Sequence, residues 1–181
     1  VGQRGSSEVL VGGLTRLEYR GYDSAGVAVI DGDGALATAK KAGKLSALTD
    51  VLAASPLPHS GTGIGHTRWA THGGPTDGNA HPHLGDDGRL ALIHNGIIEN
   101  FHSLKTELLA EGYSFESETD TEVAAVLIGK EYRAAGSLTE AFRRVVGRLD
   151  GAFTLLAVHA DEPGVVVGAR RNSPLVIGLG G

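Results

Sequence analysis

The tetrapeptide DGDG at residues 31–34 limits the possible folds more than any other segment of the chain. It separates the apolar segment AGVAVI (residues 25–30) from the alternating segment ALATAKK (residues 35–41). Asp and Gly tolerate the positive backbone φ angles that tight hairpin turns require. The three segments together therefore predict an antiparallel β-hairpin.

Apolar residues at helical spacing predict five helices. One follows Ser6 and Ser7 and ends near Tyr19, one covers residues 44–55, one is closed by Gly112, one starts near Thr119 or Asp120, and one starts at Ser137. In the last of these, Ser137 and Glu140 have the spacing of a capping box, in which the two side chains cap the first turn reciprocally. We therefore expect Ser137 to cap that helix.

Further strands are predicted between these helices. They are GTGIGHTRW (residues 61–69), RLALIHNG (residues 89–96), and a hairpin of AFTLLAVHA and GVVVGAR joined by DEPG. The segment RNSPLVIGLGG (residues 171–181) is expected to begin another strand. Hairpins thus alternate with groups of helices, which favours an α+β architecture with antiparallel sheets over the regular strand and helix alternation of a parallel sheet.

The composition excludes several classes of function. The 181 residues are 41% apolar and 20% charged, with a net charge of −5, so the chain fits one globular domain without the broad basic surface that nucleic acid requires. No segment approaches the roughly 18 apolar residues of a membrane span. The absence of cysteine excludes disulfides and thiolate metal sites within these residues and is compatible with a cytoplasmic location.

Histidines supply one candidate site. His66, His72, His81, His83 and His94 lie within thirty residues, and neutral imidazole is a common metal ligand. The HPH segment with a later histidine on a strand faintly resembles a cupin site, although the expected carboxylate is absent. Isolated histidines more often have packing or hydrogen-bonding roles. A histidine-rich metal-binding module therefore stays open only as an alternative.

A second candidate is a site for an amino acid. Arg68 offers a planar fork suited to a carboxylate, Thr71 a hydroxyl, and Asp120 a partner for an ammonium group. Asn95 and Gly96 could supply a side-chain amide and a backbone N–H to a developing oxyanion. Each residue also has a plain structural interpretation: Arg68 in a surface ion pair, Trp69 in the core, Asn95–Gly96 in a turn at a strand end, and Asp120 as a helix cap.

Five motifs together carry a family resemblance. They are LEYRGYDSAG (17–26), GHTRWATHG (65–73), NAHPH (79–83), HNGIIEN (94–100) and SETDTE (117–122). In this order they resemble the glutaminase domain of the glutamine:fructose-6-phosphate aminotransferases (glucosamine-6-phosphate synthases), which are class II glutamine amidotransferases. The resemblance implies an N-terminal nucleophile hydrolase fold, a four-layer αββα sandwich with two antiparallel sheets. Residues 1–181 are expected to be a partial glutaminase domain, incomplete at both ends and without the sugar-phosphate isomerase domains.

The resemblance also implies roles for individual residues. Arg68 and Thr71 bind the α-carboxylate of L-glutamine, Asp120 binds its α-ammonium, and Asn95 with Gly96 forms the oxyanion hole. His72 and His81 complete the substrate-binding set. Trp69 gates the passage of ammonia, and Arg20 supports the pocket.

The family's nucleophile is an N-terminal cysteine, and no cysteine occurs in this sequence. The chain as given is therefore expected to bind L-glutamine without hydrolysing it. The full enzyme would pass ammonia to a sugar-phosphate isomerase domain for glucosamine 6-phosphate synthesis, with no cofactor expected for the glutaminase step. A catalytically inactive amino-acid-binding module is the alternative from a different functional class.

Overall fold

The structure is a computed structural model that describes residues 2, 4–70 and 73–178, with the exception of the Arg20 side chain. The five helices are α1 (Ser6–Leu17), α2 (Leu45–Ala54), α3 (Phe101–Ala110), α4 (Asp120–Ala135) and α5 (Leu138–Val146), and a 3-10 turn covers Glu18–Arg20. The seven strands are β1 (Ser24–Ile30), β2 (Leu36–Ala42), β3 (Thr62–Arg68), β4 (His83–Gly85), β5 (Leu90–Ile98), β6 (Gly151–His159) and β7 (Val167–Arg171). The chain is thus an α+β protein, as predicted.

The strands form two antiparallel sheets. The first has the order β2-β1-β3 and the second the order β4-β5-β6-β7. The predicted DGDG hairpin is confirmed, because β1 pairs with β2 from Ile30–Leu36 to Ser24–Ala42. On the other side of β1, Ser24 pairs with Arg68 and Gly26 with His66. This register brings the end of β3 next to the start of β1.

Three apolar clusters separate four layers. Leu14, Val27 and Leu48 belong to the cluster between α1, α2 and the first sheet. The cluster between the two sheets consists of Ala28, Ile30, Ile64, Ala91, Ile93 and Val158. The largest cluster contains residues of β5, β6, α3, α4 and α5 and lies on the outer face of the second sheet. The expected αββα sandwich is therefore confirmed.

Two details of the sequence analysis were wrong. The Ser137 side chain makes no capping hydrogen bond. Glu140 instead accepts hydrogen bonds from Arg143 and Arg144, and the Leu138 N–H donates to the Glu162 carboxylate at 2.6 Å. Charged partners on the surface and on a neighbouring loop thus replace the local capping box.

The expected strand after residue 171 is also not found in the described part of that segment, residues 172–178. Val176 and Ile177 are 88% and 79% exposed there, so their apolar side chains have no sheet face to pack against. Among the described residues, no helix is both long and apolar enough to cross a membrane.

Candidate active site

A cavity of about 550 Å³ lies between the end of β3, the middle of β5 and the start of α4. Six residues of the predicted amino-acid site line it: Arg68, Trp69, His81, Asn95, Gly96 and Asp120. They come from four separate segments, spread over more than fifty positions of the sequence. The fold therefore brings together the described members of the predicted amino-acid site.

Arg68 is the last residue of β3 and lines the cavity. The residue is only 4% exposed. Its guanidinium donates to the carbonyls of Gly73 and Gly74 at 3.4 Å. Burial lowers the pKa of Arg68, whereas the charges of Asp120 and Asp23 raise it. Arg68 stays protonated, since the reference pKa of arginine is above about 12. It is a desolvated cation in the wall of the cavity, not a surface ion pair.

Asp120 is the first residue of α4 and is 4% exposed. Its Oδ2 accepts the backbone N–H of Ile98 at 2.8 Å, and its Oδ1 accepts the Thr121 hydroxyl at 3.3 Å. Thr119 caps this helix, since its hydroxyl accepts the Glu122 N–H. The capping interpretation of Asp120 is therefore wrong. Its carboxylate lies at the N-terminal end of the helix dipole, where negative charge is stabilised.

Asn95 and Gly96 lie within β5, which continues to Ile98, and not in a turn at a strand end. They are exposed, and they pair with Thr154 and Phe153 of β6. Gly96 has φ of 130°, and a Cβ atom there would lie 2.1 Å from the Ala152 carbonyl oxygen. Only glycine fits this position. A strand residue with this backbone interrupts the regular geometry next to the cavity.

His81 is buried, and its ring centroid is 4.4 Å from that of His66 and 5.0 Å from that of His83. Burial lowers the pKa of His66 and of His83 to about 3. Burial, followed by the neighbouring histidines and Arg68, also lowers the pKa of His81 well below its usual value. All three imidazoles are therefore neutral at pH 7.

Hydrogen bonds to threonine hydroxyls hold two of these rings. His83 Nε2 lies 2.9 Å from the Thr119 hydroxyl, and His81 Nε2 lies 3.0 Å from the Thr121 hydroxyl. Within residues 2, 4–70 and 73–178, no group of three histidine or acidic side chains could hold a metal ion. The metal-binding alternative therefore has no support in this part of the chain.

Trp69 lies at the rim of the cavity and is 60% exposed, so its predicted alternative place in the core is wrong. Its ring meets the Tyr22 ring edge to face, with centroids 5.6 Å apart. The Ala70 N–H donates to Asp23 Oδ2 at 2.8 Å, and the Asp23 N–H donates to the Arg68 carbonyl. The LEYRGYDSAG segment thus anchors the chain on both sides of Trp69.

Three predicted residues lie outside this description. Thr71 and His72 are not among the described residues, and the Arg20 side chain is not described either. Their proposed roles stay predictions.

Sequence reasoning missed two residues that hold the loops near the cavity without lining it. Asn79 donates to the Gly74 carbonyl and to Glu118, and it accepts the Glu118 N–H, so it joins the segment after Arg68 to the segment before α4. The Lys40 ammonium donates to the carbonyls of Gly78, Ala80 and Pro82. Asn79 lies in the NAHPH motif, which could have marked it. Lys40 lies in an alternating strand that gives no such signal.

The family called glutamine amidotransferase domain matches residues 66–177. This range contains β3 from His66 onward, the whole second sheet and the helices α3, α4 and α5. The chain belongs to the glutamine amidotransferase domain family.

Relatives and solved structures agree with this membership. A glutamine–fructose-6-phosphate aminotransferase (isomerizing) from Leifsonia xyli subsp. xyli is 78% identical over 180 residues, covering 99% of this chain and 29% of the relative. The enzyme of the same name from Streptomyces coelicolor is 65% identical with the same coverage. This amidotransferase domain therefore spans less than a third of the length of these curated relatives.

The fold is shared with a solved glutamine phosphoribosylpyrophosphate amidotransferase from B. subtilis, complexed with ADP and GMP. Its TM-score is 0.73 at 29% identity, covering 88% of this chain and 34% of that one. A solved allosteric regulatory enzyme of purine biosynthesis gives a TM-score of 0.72 at 31% identity. The N-terminal nucleophile hydrolase fold that the motifs implied is confirmed by these neighbours.

Proposed function

We propose that this domain binds L-glutamine in the 550 Å³ cavity and is the glutamine-hydrolysing part of a glutamine–fructose-6-phosphate aminotransferase. The observation that carries the proposal is the pair Arg68 and Asp120, a cation and an anion that are each 4% exposed and line the same cavity. A free amino acid carries one charge of each sign at its α-carbon, so it complements such a pair. The names of the relatives support glutamine as that amino acid.

In this proposal each wall of the cavity has a separate task. Arg68 binds the α-carboxylate and Asp120 the α-ammonium, which leaves the side-chain amide to reach β5. Asn95 and Gly96 line the cavity there and donate to the oxyanion that forms when the amide carbon is attacked. Removing one such donor typically raises the barrier by about 2.7–4 kcal/mol.

The attacking group is a cysteine thiolate, with its own α-amino group as the base that receives the thiol proton. An α-amine has a reference pKa of about 7.7–8.0, so it accepts a proton near neutral pH. The thiolate adds to the amide carbon, ammonia leaves with the transferred proton, and water then hydrolyses the thioester to glutamate. These 181 residues contain no cysteine, so a polypeptide consisting of them binds glutamine and releases no ammonia.

The proposal extends to the partners of the domain. Thr71 and His72 contribute to glutamine binding with His81, Arg20 supports the pocket, and Trp69 controls the passage of ammonia towards a sugar-phosphate isomerase domain. That domain uses the ammonia to convert fructose 6-phosphate to glucosamine 6-phosphate. We also propose a cytoplasmic location, which fractionation of the source cells with an antibody to this domain tests.

Isothermal titration calorimetry with L-glutamine tests the binding step. We expect saturable binding, and about a tenfold or greater loss of affinity in Arg68→Gln and in Asp120→Asn, because each variant leaves one ligand charge without its partner. The matched controls are Arg143→Gln and Asp50→Asn, which change exposed residues that do not line the cavity. Absence of binding by the unaltered chain contradicts the proposal.

Thiol titration combined with an ammonia assay separates the enzyme from the inactive binding module. A natural polypeptide that contains this domain, carries a reactive thiol and releases ammonia from glutamine is the proposed enzyme. Glutamine binding by a natural polypeptide without a thiol and without ammonia release identifies the inactive module. Ammonia release from a polypeptide limited to these residues contradicts the proposed mechanism.

A further inference from the structure

Thr121 is the second residue of α4; it lines the cavity beside Asp120 and is 1% exposed. Its hydroxyl oxygen lies 3.0 Å from His81 Nε2, 2.9 Å from His94 Nδ1 and 3.3 Å from Asp120 Oδ1. A hydroxyl has one proton to donate and two lone pairs that accept. The hydroxyl can therefore form three hydrogen bonds, one with each of its three partners among the described residues.

The chemistry of the partners fixes the direction of each hydrogen bond. An ionised carboxylate only accepts, so the hydroxyl proton belongs to the bond with Asp120. Both imidazoles must then donate, which assigns the proton of His81 to Nε2 and the proton of His94 to Nδ1.

The other ring nitrogens support this assignment. His81 Nδ1 and His94 Nε2 are buried and have no hydrogen-bond partner among residues 2, 4–70 and 73–178. In the opposite tautomers, these atoms would carry N–H groups buried without an acceptor, while the Thr121 oxygen lost its donors. A buried donor left unpaired is destabilising, because it has lost its hydrogen bonds to water and gains none in the protein. In the assigned tautomers, the ring N–H of His81 and the ring N–H of His94 each donate to the Thr121 oxygen.

The direct contact between His94 and Asp120 does not change this conclusion. His94 Nδ1 lies 3.6 Å from Asp120 Oδ1, farther than it lies from the Thr121 oxygen. The Thr121 oxygen is therefore the nearer acceptor for the His94 Nδ1–H.

We propose that Thr121 is a positioning residue for glutamine recognition: its hydroxyl fixes the tautomers of His81 and His94 and orients the Asp120 carboxylate opposite Arg68. The Ile98 N–H holds the second carboxylate oxygen, so both oxygens of Asp120 are set by the protein before any ligand arrives. Donation from two imidazoles also polarises the hydroxyl and strengthens its bond to the carboxylate. The ligand half of this inference rests on the proposed binding of L-glutamine, whereas the tautomer half does not.

The experiment combines histidine NMR with calorimetry on the unaltered chain, Thr121→Ser and Thr121→Val. Long-range 15N–1H spectra of the imidazoles at pH 7.5 report the tautomer of each ring directly. We expect His81 as the Nε2–H form and His94 as the Nδ1–H form in the unaltered chain and in the serine variant, which keeps the hydroxyl. The valine variant should lose this tautomer pattern and bind L-glutamine about tenfold more weakly, with serine restoring the affinity.

The control is Thr106→Val, which removes an exposed hydroxyl on α3 and should change neither readout. If the valine variant does not fold, the tautomers of the unaltered chain and of the serine variant still decide the tautomer half. His81 in the Nδ1–H form, or His94 in the Nε2–H form, overturns the inference. Wild-type glutamine affinity in a folded valine variant also overturns it. If the unaltered chain binds no glutamine but shows the expected tautomers, the proposed function fails and the arrangement around Thr121 stands.

Discussion

The two walls of the cavity differ in how completely the protein has already arranged them. The buried wall is formed by the end of β3, the loop before β4 and the start of α4. On it, Arg68, His81 and Asp120 are each 4% exposed and are held by hydrogen bonds to the protein. On the rim and the β5 wall, Trp69 is 60% and Ile97 42% exposed. The charged side chains of the buried wall are thus desolvated by the fold itself, whereas the β5 wall depends on the shape of its backbone.

This difference predicts different responses to substitution. On the buried wall, side-chain chemistry should control both stability and ligand binding, because an uncompensated buried charge is costly. On the open wall, side-chain truncation should change stability little, and only a change that alters the backbone should lower stability strongly. Each prediction below tests one side of this contrast.

The largest effect is expected at Gly96, the backbone element of the open wall. Gly96→Ala places a Cβ at φ of 130° and 2.1 Å from the Ala152 carbonyl oxygen, so strain and overlap add. We expect the free energy of unfolding to fall by about 4 kcal/mol, as measured by urea denaturation.

Gly88→Ala is the matched control for this variant. Gly88 has φ of 83°, but its Cβ would meet nothing within 4 Å, so only backbone strain remains, at a cost of about 1–2 kcal/mol. If both variants lose the same free energy of unfolding, the close approach of β6 to Gly96 does not add to the cost of the Gly96→Ala substitution.

The next largest effect is a loss of folding stability in acid, which we expect from the buried histidines. His66 and His83 have pKa values lowered from 6.5 to about 3 by burial. Between these values the unfolded chain binds protons that the folded chain does not, so stability present above pH 6.5 is lost as the pH falls. At pH 5.5 each histidine accounts for about 1.4 kcal/mol, or about 3 kcal/mol for the two.

Urea denaturation at pH 7.5 and pH 5.5 measures this loss. The carboxylates with lowered pKa, such as Asp77 and Asp86, start from an unfolded value of 3.8 and act mainly at lower pH. His83→Gln should reduce the loss, because the amide removes one titrating group and can still bond to Thr119. A stability that stays constant between the two pH values contradicts a neutral histidine cluster.

The sequence predicted the layers well because they depend on local patterns. The DGDG turn and the helical spacing of apolar residues are properties of short segments, and the structure confirms the hairpin and the helices. The capping box failed because Glu140 has two arginines on its own helix, which compete for its carboxylate. The strand expected after residue 171 failed because apolar residues alone do not supply a neighbouring strand.

The site was only partly predictable. Arg68, Asp120 and Gly96 were found through family motifs, and their burial and backbone geometry come from the fold. Thr121 lies in the quoted SETDTE motif, but its three partners come from β5, α4 and the loop before β4. Contacts between segments forty residues apart leave no periodic signal. Lys40 was missed for the same reason, since the loop carbonyls it binds are distant in sequence.

We expect a smaller loss of stability from Asp120→Asn, which removes the negative charge of the buried wall with little change in side-chain shape. Asp120→Asn weakens the acceptor of the Ile98 N–H and leaves Arg68 with less compensating charge. We expect the free energy of unfolding to fall by about 2 kcal/mol in urea denaturation at pH 7.5. Asp50→Asn, on the exposed face of α2, should change it by less than about 0.5 kcal/mol. Equal effects in these two variants would mean that burial of Asp120 has no energetic consequence.

The smallest effect is expected at Trp69, although it is the largest side chain on the rim. Its described ring contact is with Tyr22, which is itself 52% exposed. Truncation of Trp69 therefore exposes little surface that was buried. Trp69→Ala should lower the free energy of unfolding by less than about 1 kcal/mol, and a double-mutant cycle with Tyr22→Ala should give a coupling of similar size. If Trp69→Ala instead lowers the free energy of unfolding as much as Asp120→Asn does, the rim contributes to stability as strongly as the buried wall. The contrast between the buried wall and the open wall would then not hold at Trp69.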